Sequence, residues 1–394
     1  MPESARDPQA PWFAGELRDL EAQGLLRRRR VLESAQGARI RLDGRELLSF
    51  CSNDYLGLAS DPRLAEALIA GVRECGVGAG ASHLLTGHHR AHQMLEERLA
   101  DFTGFARALF FSSGYLANLA ALTAFARGGV ELFADRLNHA SLNDGMLLAR
   151  ARFRRYGHLD LESLERMLSR SRAPRRIVVT DAVFSMDGDV APLDRLAVLC
   201  ERYGAWLIID DAHGFGVLGP QGRGSAAAYV VSGSKVLYIG TLGKAAGVSG
   251  AFVAGDAQAI ELLMQRSRSY IYTTASPPAL ARALMACMEI VEREEWRRQR
   301  LFSHVAHFRE AVVAAPFALL PSPTAIQPVM VGEAADALAV SATLEQAGIL
   351  VPAIRPPTVP KGSARLRVSL SAAHSPEDIE RLASALAAIA PVHA

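Results

Sequence analysis

Lysine is scarce in this chain of 394 residues, which has 43 basic residues against 41 acidic ones. The only lysines are Lys235, Lys244 and Lys361, and all other basic residues are arginines. Codon usage that favours arginine explains such a bias. The scarcity nevertheless leaves three candidates for any chemistry that needs a primary amine. The net charge of +2 provides no global field for nucleic acid or an anionic membrane.

Cysteines and long apolar runs are scarce as well. The four cysteines lie far apart and include no C-x-x-C pair, which argues against a disulfide framework and a zinc ribbon. No apolar stretch approaches the roughly 20 residues that span a bilayer. Residues 1–11 lack the apolar core of a signal peptide. We therefore expect a soluble, cytoplasmic protein with a core of ordinary size.

The pattern along the chain predicts an α/β protein with a smaller second domain. Residues 13–30 have the spacing of a charged amphipathic helix that ends in a run of arginines. A β-like segment follows and turns at Asp43-Gly44. Beyond Pro277-Pro278 a long charged helix and many prolines indicate a smaller α+β unit. The expected parts are an N-terminal helix and β segment at 1–50, a large α/β domain at 51–280 and a C-terminal α+β domain at 281–394.

The region from about residue 106 to 255 alternates short apolar runs with helical stretches, as in a mainly parallel sheet covered on both faces. The apolar runs are 108–111, 177–180, 206–209 and 236–239. In open α/β sheets, ligand-handling residues collect just past the carboxyl ends of the strands. The residues at these positions are Ser112-Ser113-Gly114, Asp181, Asp210-Asp211-Ala212-His213 and Thr241-Leu242-Gly243-Lys244.

Lys244 ends a short glycine-containing loop directly after the last of these runs. A nucleotide P-loop would need glycine at 238 and serine or threonine at 245, but Tyr238 and Ala245 stand there. A lysine that is buried at a strand end can instead form a Schiff base, since its surroundings lower its pKa. The alternative is an ordinary surface lysine.

Asp210 and the serines after the first run fit a pyridoxal phosphate (PLP) site. Asp210 ends a strongly apolar run, where a carboxylate needs a cationic partner such as a pyridinium nitrogen. The alternative for Asp210 is a turn or helix-capping residue. Ser112 or Ser113 can cap the helix that follows, and the N–H groups at the start of that helix would bind a phosphate.

Two basic clusters have competing interpretations. His83, His88, His89 and His92 suggest a metal, but the H-E-x-x-H pattern is absent and no cysteine joins them, so we expect no metal site. The arginines at 27–30 either contact the phosphates of a coenzyme A or simply solvate a helix face.

Taken together, the sequence resembles the α-oxoamine synthase family, PLP enzymes of fold type I (aspartate-aminotransferase-like). The similarity covers nearly the whole chain. The segments that carry it are 52–58 (SNDYLGL), 138–141 (NHAS), 183–189 (VFSMDGD), 210–214 (DDAHG) and 240–244 (GTLGK).

The resemblance implies a role for each matching residue in a PLP site. Lys244 would hold the cofactor and later move protons, Asp210 would keep the pyridine nitrogen protonated, and His139 would stack on the ring. Ser185 and His213 would lie near the phenolic oxygen of the cofactor. The remaining implied cofactor contacts are Gly114 and Tyr115 in the binding turn, Thr241 at the phosphate, and Thr273 or Thr274 from a partner subunit of a homodimer.

The resemblance also implies the reaction and the substrate contacts. Asn53 and Arg367 would hold the amino-acid carboxylate, while Arg27 and Thr358 match positions for the acyl thioester. Segments 80–83, 272–274, 355–360 and 365–374 favour the branch of biotin biosynthesis that condenses L-alanine with pimeloyl-CoA or a pimeloyl-carrier protein. The alternatives are a glycine-using synthase that makes 2-amino-3-ketobutyrate or 5-aminolevulinate, a non-catalytic partner subunit, and a plain nucleotide-binding module.

Overall fold

The computed structural model of the chain describes residues 11–23, 25–231, 233 and 235–390. Its strands are β1 Arg39–Leu42, β2 Arg45–Ser49, β3 Arg107–Phe111, β4 Val130–Asp135, β5 Arg152–Tyr156, β6 Arg175–Asp181, β7 Trp206–Asp210, β8 Val236–Thr241, β9 Ala251–Gly255, β10 Ala318–Leu319, β11 Ile326–Gly332, β12 Ile349–Leu350, β13 Ala353–Ile354 and β14 Ala364–Ser369. Its helices are α1 Trp12–Ala22, α2 Pro62–Cys75, α3 Arg90–Thr103, α4 Gly114–Phe125, α5 Ala140–Ala149, α6 Leu161–Arg170, α7 Leu193–Arg202, α8 Ser225–Ala228, α9 Ala257–Arg266, α10 Arg268–Ile271, α11 Pro278–Arg293, α12 Glu295–Ala311, α13 Ala334–Gln346 and α14 Pro376–Ala387.

The largest sheet within the described ranges has seven strands in the order β3-β9-β8-β7-β6-β4-β5. All of them run parallel except β9, which is antiparallel to both of its neighbours. Apolar side chains cover both faces, with Val178 packed on one side and Ile177 and Val179 on the other. The mainly parallel, doubly covered sheet predicted from the sequence is therefore confirmed, and so are its four apolar strands.

The N-terminal helix is shorter than the prediction of residues 13–30. It ends at Ala22 and buries none of its side chains. Residues 25–30 are not helical. Arg30 instead places its Nε 2.7 Å from an Asp43 carboxylate oxygen and an NH group 2.8 Å from Glu345. These two ion pairs tie the arginine run to the turn between β1 and β2 and to helix α13. The part of the prediction that extended the helix through this run is wrong.

A second, smaller sheet has the order β10-β11-β14-β13 and is accompanied by α12, α13 and α14. This is the smaller α+β unit that the sequence predicted at the C-terminal end. The short β12 pairs in parallel with β2, so the N-terminal hairpin joins the C-terminal part of the chain. No helix in the described part of the chain is both long and apolar enough to cross a membrane.

Helix α11 crosses the expected boundary at residue 280 and packs on α2. The helices touch so closely that a Cβ at Gly71 would lie 3.0 Å from the Cα of Ala279. Glycine at position 71 therefore permits this contact. The division into 51–280 and 281–394 stays a prediction. Helix α11 begins just before this boundary and packs on α2, which belongs to the larger unit.

Candidate active site

The carboxyl ends of the parallel strands meet at one edge of the large sheet. Asp181 and Asp210 are paired directly across β6 and β7. A Cβ at Gly114 would lie 3.7 Å from the Oγ1 of Thr241, so the start of α4 adjoins the end of β8. This is the convergence that the apolar runs predicted.

Lys244 stands in the loop after β8 and heads a chain of hydrogen bonds. Its Nζ lies 2.8 Å from Nε2 of His213, whose Nδ1 lies 2.7 Å from the hydroxyl of Tyr55. The Tyr55 hydroxyl donates to Oδ1 of Asn53 at 3.2 Å. Burial keeps the pKa of His213 well below its ordinary value, so the imidazole is neutral and accepts at Nε2 from the amine.

The amine of Lys244 has a strongly altered acidity. Burial lowers its pKa to about 8, against the opposing effect of the negative charge of Asp210. A lysine near this value gives up its proton far more readily than one in water. Lys244 is half-buried and its amine contacts Nε2 of His213, so it is not the ordinary surface lysine of the alternative interpretation.

Asp210 is buried at the end of β7 and uses its two oxygens differently. Oδ1 accepts from the backbone N–H of Ala212 at 2.9 Å, as in a turn. Oδ2 accepts from Nδ2 of Asn118 at 2.6 Å. Among the described residues Asp210 forms no ion pair. The carboxylate thus accepts a hydrogen bond within a turn, as the alternative interpretation predicted. It also places a buried negative charge in the site.

Asn118 is a site residue that the sequence analysis missed. Its side chain joins Asp210 to Ser141, whose Oγ accepts from the same Nδ2 at 2.8 Å. Ser141 in turn lies 2.7 Å from Nδ1 of His139. The available signal was a single amide among the apolar residues of helix α4, where a buried polar side chain requires a partner.

The backbone of His139 is fixed by a hydrogen bond, while the residue as a whole is exposed to solvent. Its side chain caps α5, and its N–H donates to the Asp181 carboxylate at 2.7 Å. Burial raises the pKa of Asp181 well above its ordinary range. Burial lowers the pKa of His139, and the charges of Asp210 and Lys244 are near enough to act on it in opposite directions.

The start of α4 matches the predicted phosphate-binding turn in part. Ser113 caps the helix by accepting from the N–H of Leu116 at 3.3 Å, so of the two candidate caps it is Ser113 that acts. The hydroxyl of Tyr115 donates to the carboxylate of Asp144 and the side chain is 44% exposed. The turn is therefore formed by the backbone at 113–115, and the tyrosine hydroxyl is bound to Asp144 on α5.

Arg367 on β14 brings the predicted carboxylate-binding residues together. Both of its terminal nitrogens donate to Oδ1 of Asn53 at 3.2 Å, and its Nε donates to the carbonyl of Ser185 at 2.5 Å. One terminal nitrogen also reaches the Tyr55 hydroxyl at 3.5 Å. Arg367, Asn53 and Ser185 thus join the hydrogen-bond chain that begins at Lys244.

His158 is a second residue that the sequence analysis missed. Its Nδ1 lies 3.0 Å from Asp135 at the end of β4, and its Nε2 lies 2.7 Å from Asp189, which closes the loop that carries Ser185. Since both ring nitrogens must donate, the ring is an imidazolium. Hydrogen bonds to both carboxylates raise its pKa to about 9 although burial opposes this.

All the predicted site residues except Tyr115, whose hydroxyl binds Asp144, fall into two groups. The central group consists of three sets of contacting residues, and Tyr55 and Asn118 are added to it by the structure. The sets are Lys244, His213, Tyr55, Asn53, Arg367 and Ser185; Asp210, Asn118 and His139; and Gly114 with Thr241. The outer group comprises Arg27, Thr273, Thr274 and Thr358. In the described structure no hydrogen bond joins the outer group to the central group, and its members are exposed or half-exposed.

Comparison with known proteins agrees with this geometry. The sequence matches the family described as aminotransferase class I and II over residues 45–386. It is 55% identical to the 8-amino-7-oxononanoate synthase of Nitrosomonas europaea, over 94% of this chain and 96% of that protein. The chain belongs to the class I and II aminotransferase family. Within that family it lies among the 8-amino-7-oxononanoate synthases, which confirms the α-oxoamine synthase resemblance.

Solved structures of this family show the same fold. A structure of SPT with its PLP internal aldimine superposes with a TM-score of 0.90 at 29% identity, covering 95% of this chain and 96% of that one. The 8-amino-7-oxononanoate synthase of Francisella tularensis gives a TM-score of 0.76 at 32% identity, covering 86% of this chain and 97% of that one. The predicted fold type I architecture is thus confirmed.

Proposed function

We propose that this protein condenses L-alanine with a pimeloyl thioester, on coenzyme A or a carrier protein, to form 8-amino-7-oxononanoate, carbon dioxide and free thiol. This is a step of biotin biosynthesis. The observation that carries the proposal is the central group, in which one hydrogen-bonded chain leads from the Lys244 amine through His213 and Tyr55 to Asn53 and Arg367. The relatives at 55% identity support the choice of reaction.

The central group fits PLP as the cofactor. The fit is seen in a buried amine, a buried carboxylate without an ion-pair partner, an accessible imidazole ring and a capped helix start, all at one sheet edge. Lys244 would hold the aldehyde carbon, Asp210 the pyridine nitrogen and Thr241 with the α4 turn the phosphate, while His139 would cover the ring. When bound, PLP supplies an electron sink that stabilises negative charge at the α-carbon of the amino acid.

Lys244 is suited to take and return a proton. With a pKa of about 8, Nζ is partly neutral at physiological pH and accepts a proton without a large energetic cost. Neutral His213 accepts a hydrogen bond from this amine and holds it in one orientation. We infer that Nζ removes the α-proton of alanine and later returns a proton to the product carbon.

Arg367 and Asn53 would orient the alanine carboxylate. The guanidinium is buried and its Nε is already fixed by the Ser185 carbonyl, so its terminal nitrogens keep a defined direction. A planar guanidinium binds a carboxylate with two parallel hydrogen bonds. Binding of alanine would exchange the present contact with the Asn53 amide oxygen for the substrate carboxylate.

The outer group belongs to the proposal through family likeness. Arg27 and Thr358 would contact the acyl thioester, and Thr273 or Thr274 would complete the phosphate site of a second copy in a homodimer. All four lie at the surface of the single chain, which is where contacts to a large substrate or a second subunit must come from.

A substrate panel tests the reaction. Thiol release is measured with alanine or glycine against acetyl-, succinyl- and pimeloyl-CoA. We expect the highest kcat/KM for alanine with pimeloyl-CoA. Highest activity with glycine and a short acyl donor would replace the proposal by a glycine-using synthase, and no thiol release from any pair would point to a non-catalytic subunit.

A further inference from the structure

Three histidines that the proposed reaction does not use converge between α3 and the segment before α11. His83 and His92 are buried and His88 is half-buried. One nitrogen of each ring lies within 4.8 Å of one nitrogen of each of the others. The turn between His83 and His88 requires Gly87, because a Cβ there would lie 2.0 Å from the carbonyl of Ala81. That turn brings the first two rings together although the sequence contains no metal-binding motif.

The rings stand as imidazoles do around one small cation. Their centroids are 5.2, 5.0 and 5.8 Å apart, and the ring planes are inclined by 35–65°. Zn–N bonds of about 2.0–2.1 Å in a tetrahedral arrangement place ring centroids about 5.2 Å apart and nitrogens about 3.3 Å apart. The Nδ1 atoms of His83 and His88 are 3.0 Å apart, so a metal would open this pair by a few tenths of an ångström.

Two of the rings already have the outer hydrogen bonds that metal-binding histidines use. Nε2 of His92 lies 2.9 Å from the carbonyl of Ser276, and Nε2 of His88 lies 3.2 Å from Oε1 of Gln93. A ligating histidine typically donates its second N–H to a carbonyl or carboxylate, which fixes the ring. Each contact occupies Nε2, so Nδ1 is the nitrogen of both rings that remains to bind a metal.

The protonation of the cluster also suits a metal. Burial lowers the pKa of His83 to about 3 and that of His92 to about 4. Both rings are therefore neutral at physiological pH and need lose no proton to coordinate. Coordination has two costs. Nδ1 of His83 now donates to Nδ1 of His88 at 3.0 Å, so the proton of His83 would move to its Nε2. Nδ1 of His92 now accepts from the N–H of His89 at 3.1 Å and would exchange that bond for the metal.

We propose that His83, His88 and His92 bind one divalent transition-metal ion through their Nδ1 atoms, with water at the fourth position. Imidazole ligands in a tetrahedral arrangement favour Zn²⁺. This revises the expectation of no metal, which was based on the absence of H-E-x-x-H and of a nearby cysteine. The sequence spacing did not show that the turn at Gly87 folds His88 back onto His83.

The proposed metal would brace the segment that carries Thr273 and Thr274. The carbonyl of Ser276 holds His92, and the N–H of Ala275 donates to the carbonyl of Ala81 at 2.9 Å, just before His83. Tyr270 stacks on the ring of His83 with centroids 4.8 Å apart. The ion thus has a structural role outside the central group, and its binding is independent of the reaction proposed above.

Metal titration of the tag-free holoenzyme tests the site. The protein is dialysed against a chelator that is then removed, and Zn²⁺ alone is titrated by calorimetry while Co²⁺ is followed by its visible absorption. We expect about one ion per chain with tetrahedral Co²⁺ bands. His88→Ala should weaken Zn²⁺ binding about tenfold or more. His307→Ala on α12 is the matched control and should bind as the unaltered protein does.

Thermal unfolding supplies a second readout. Zn²⁺ should raise Tm of the unaltered chain and of His307→Ala by more than it raises Tm of His88→Ala, because the stabilisation depends on how tightly the folded state binds the ion. Equal Zn²⁺ affinity in all three proteins, or no stoichiometric binding in any of them, would show that the histidines form a hydrogen-bonded cluster only. His83→Asn serves if His88→Ala does not fold.

Discussion

The central and outer groups of predicted site residues differ in what holds them in place. Lys244, Asp210 and Arg367 make hydrogen bonds of 2.5–2.9 Å to other buried or half-buried side chains and backbone groups of the site. Arg27 and Thr274 are exposed and make no contact with that network within the described structure. The order of the strands in the sheet is enough to bring the amine of Lys244 and the buried carboxylates to the same edge. The outer positions acquire a role only when a long substrate or a second subunit reaches them.

The largest effect is expected at Asp210, which is a buried member of the central group, whereas the outer group is exposed or half-exposed. Asp210→Asn preserves the shape of the side chain and removes its charge. Losing one partner of a buried charge pair costs about 3–5 kcal/mol, which corresponds to roughly 10²–10⁴ in kcat/KM. Thiol release under saturating cofactor measures it. A variant that keeps more than a tenth of the activity would show that the buried carboxylate does not act on the cofactor.

A smaller, selective effect is expected at Arg367. Arg367→Lys keeps the charge and removes the paired hydrogen bonds, each worth about 1.5–3 kcal/mol with a charged acceptor. KM for alanine should rise about tenfold or more, while KM for pimeloyl-CoA should change little. Arg381→Lys, an exposed arginine on α14, is the control. An equal rise in both KM values would remove Arg367 from the carboxylate site.

His158 sharpens the comparison because it supports the central group without touching the substrate. Its pKa rises from 6.5 to about 9 on folding, so its contribution to stability is complete below about pH 6.5 and is lost as pH rises through about 9. The free energy of unfolding should fall over this range. His158→Phe should be less stable at pH 6 and lack this pH dependence. The same decline in both proteins would contradict the charged bridge between Asp135 and Asp189.

The smallest effect is expected in the outer group. Arg27→Ala removes one exposed charge, and such pairs contribute about 0.2–1 kcal/mol. KM for pimeloyl-CoA should rise about two- to fivefold at low ionic strength, and the difference should shrink in salt because the interaction is screened. Arg28→Ala, whose guanidinium pairs with Glu21, is the matched control. A loss as large as that in Asp210→Asn would place Arg27 with the central group.

The sequence predicts the parallel sheet well because four of its strands are continuous apolar runs. It does not reveal β5, whose sequence RFRRY lies at the sheet edge and carries charges. The arginine run at 27–30 has helical spacing but is drawn instead towards Asp43 and Glu345. Periodicity identifies the buried faces of helices and strands, but it gives no information on ion pairs between residues far apart in the sequence.

The central group is predictable where residues end strands and hidden where helices or loops supply them. Lys244 and Asp210 follow directly from the positions of β7 and β8. Asn118 comes from the interior of α4, and His158 matters only because β4 and the loop after β6 lie on either side of it. Such partnerships depend on strand order, which one sequence does not specify.

The most direct test of the account is chemical capture of the cofactor on its amine. The holoenzyme is reduced with borohydride, digested and mapped by mass spectrometry. We expect one pyridoxyl group per chain on Lys244, the lysine with the lowered pKa and the contact with His213. A pyridoxyl group on Lys235 or Lys361 would contradict the assignment of the active site.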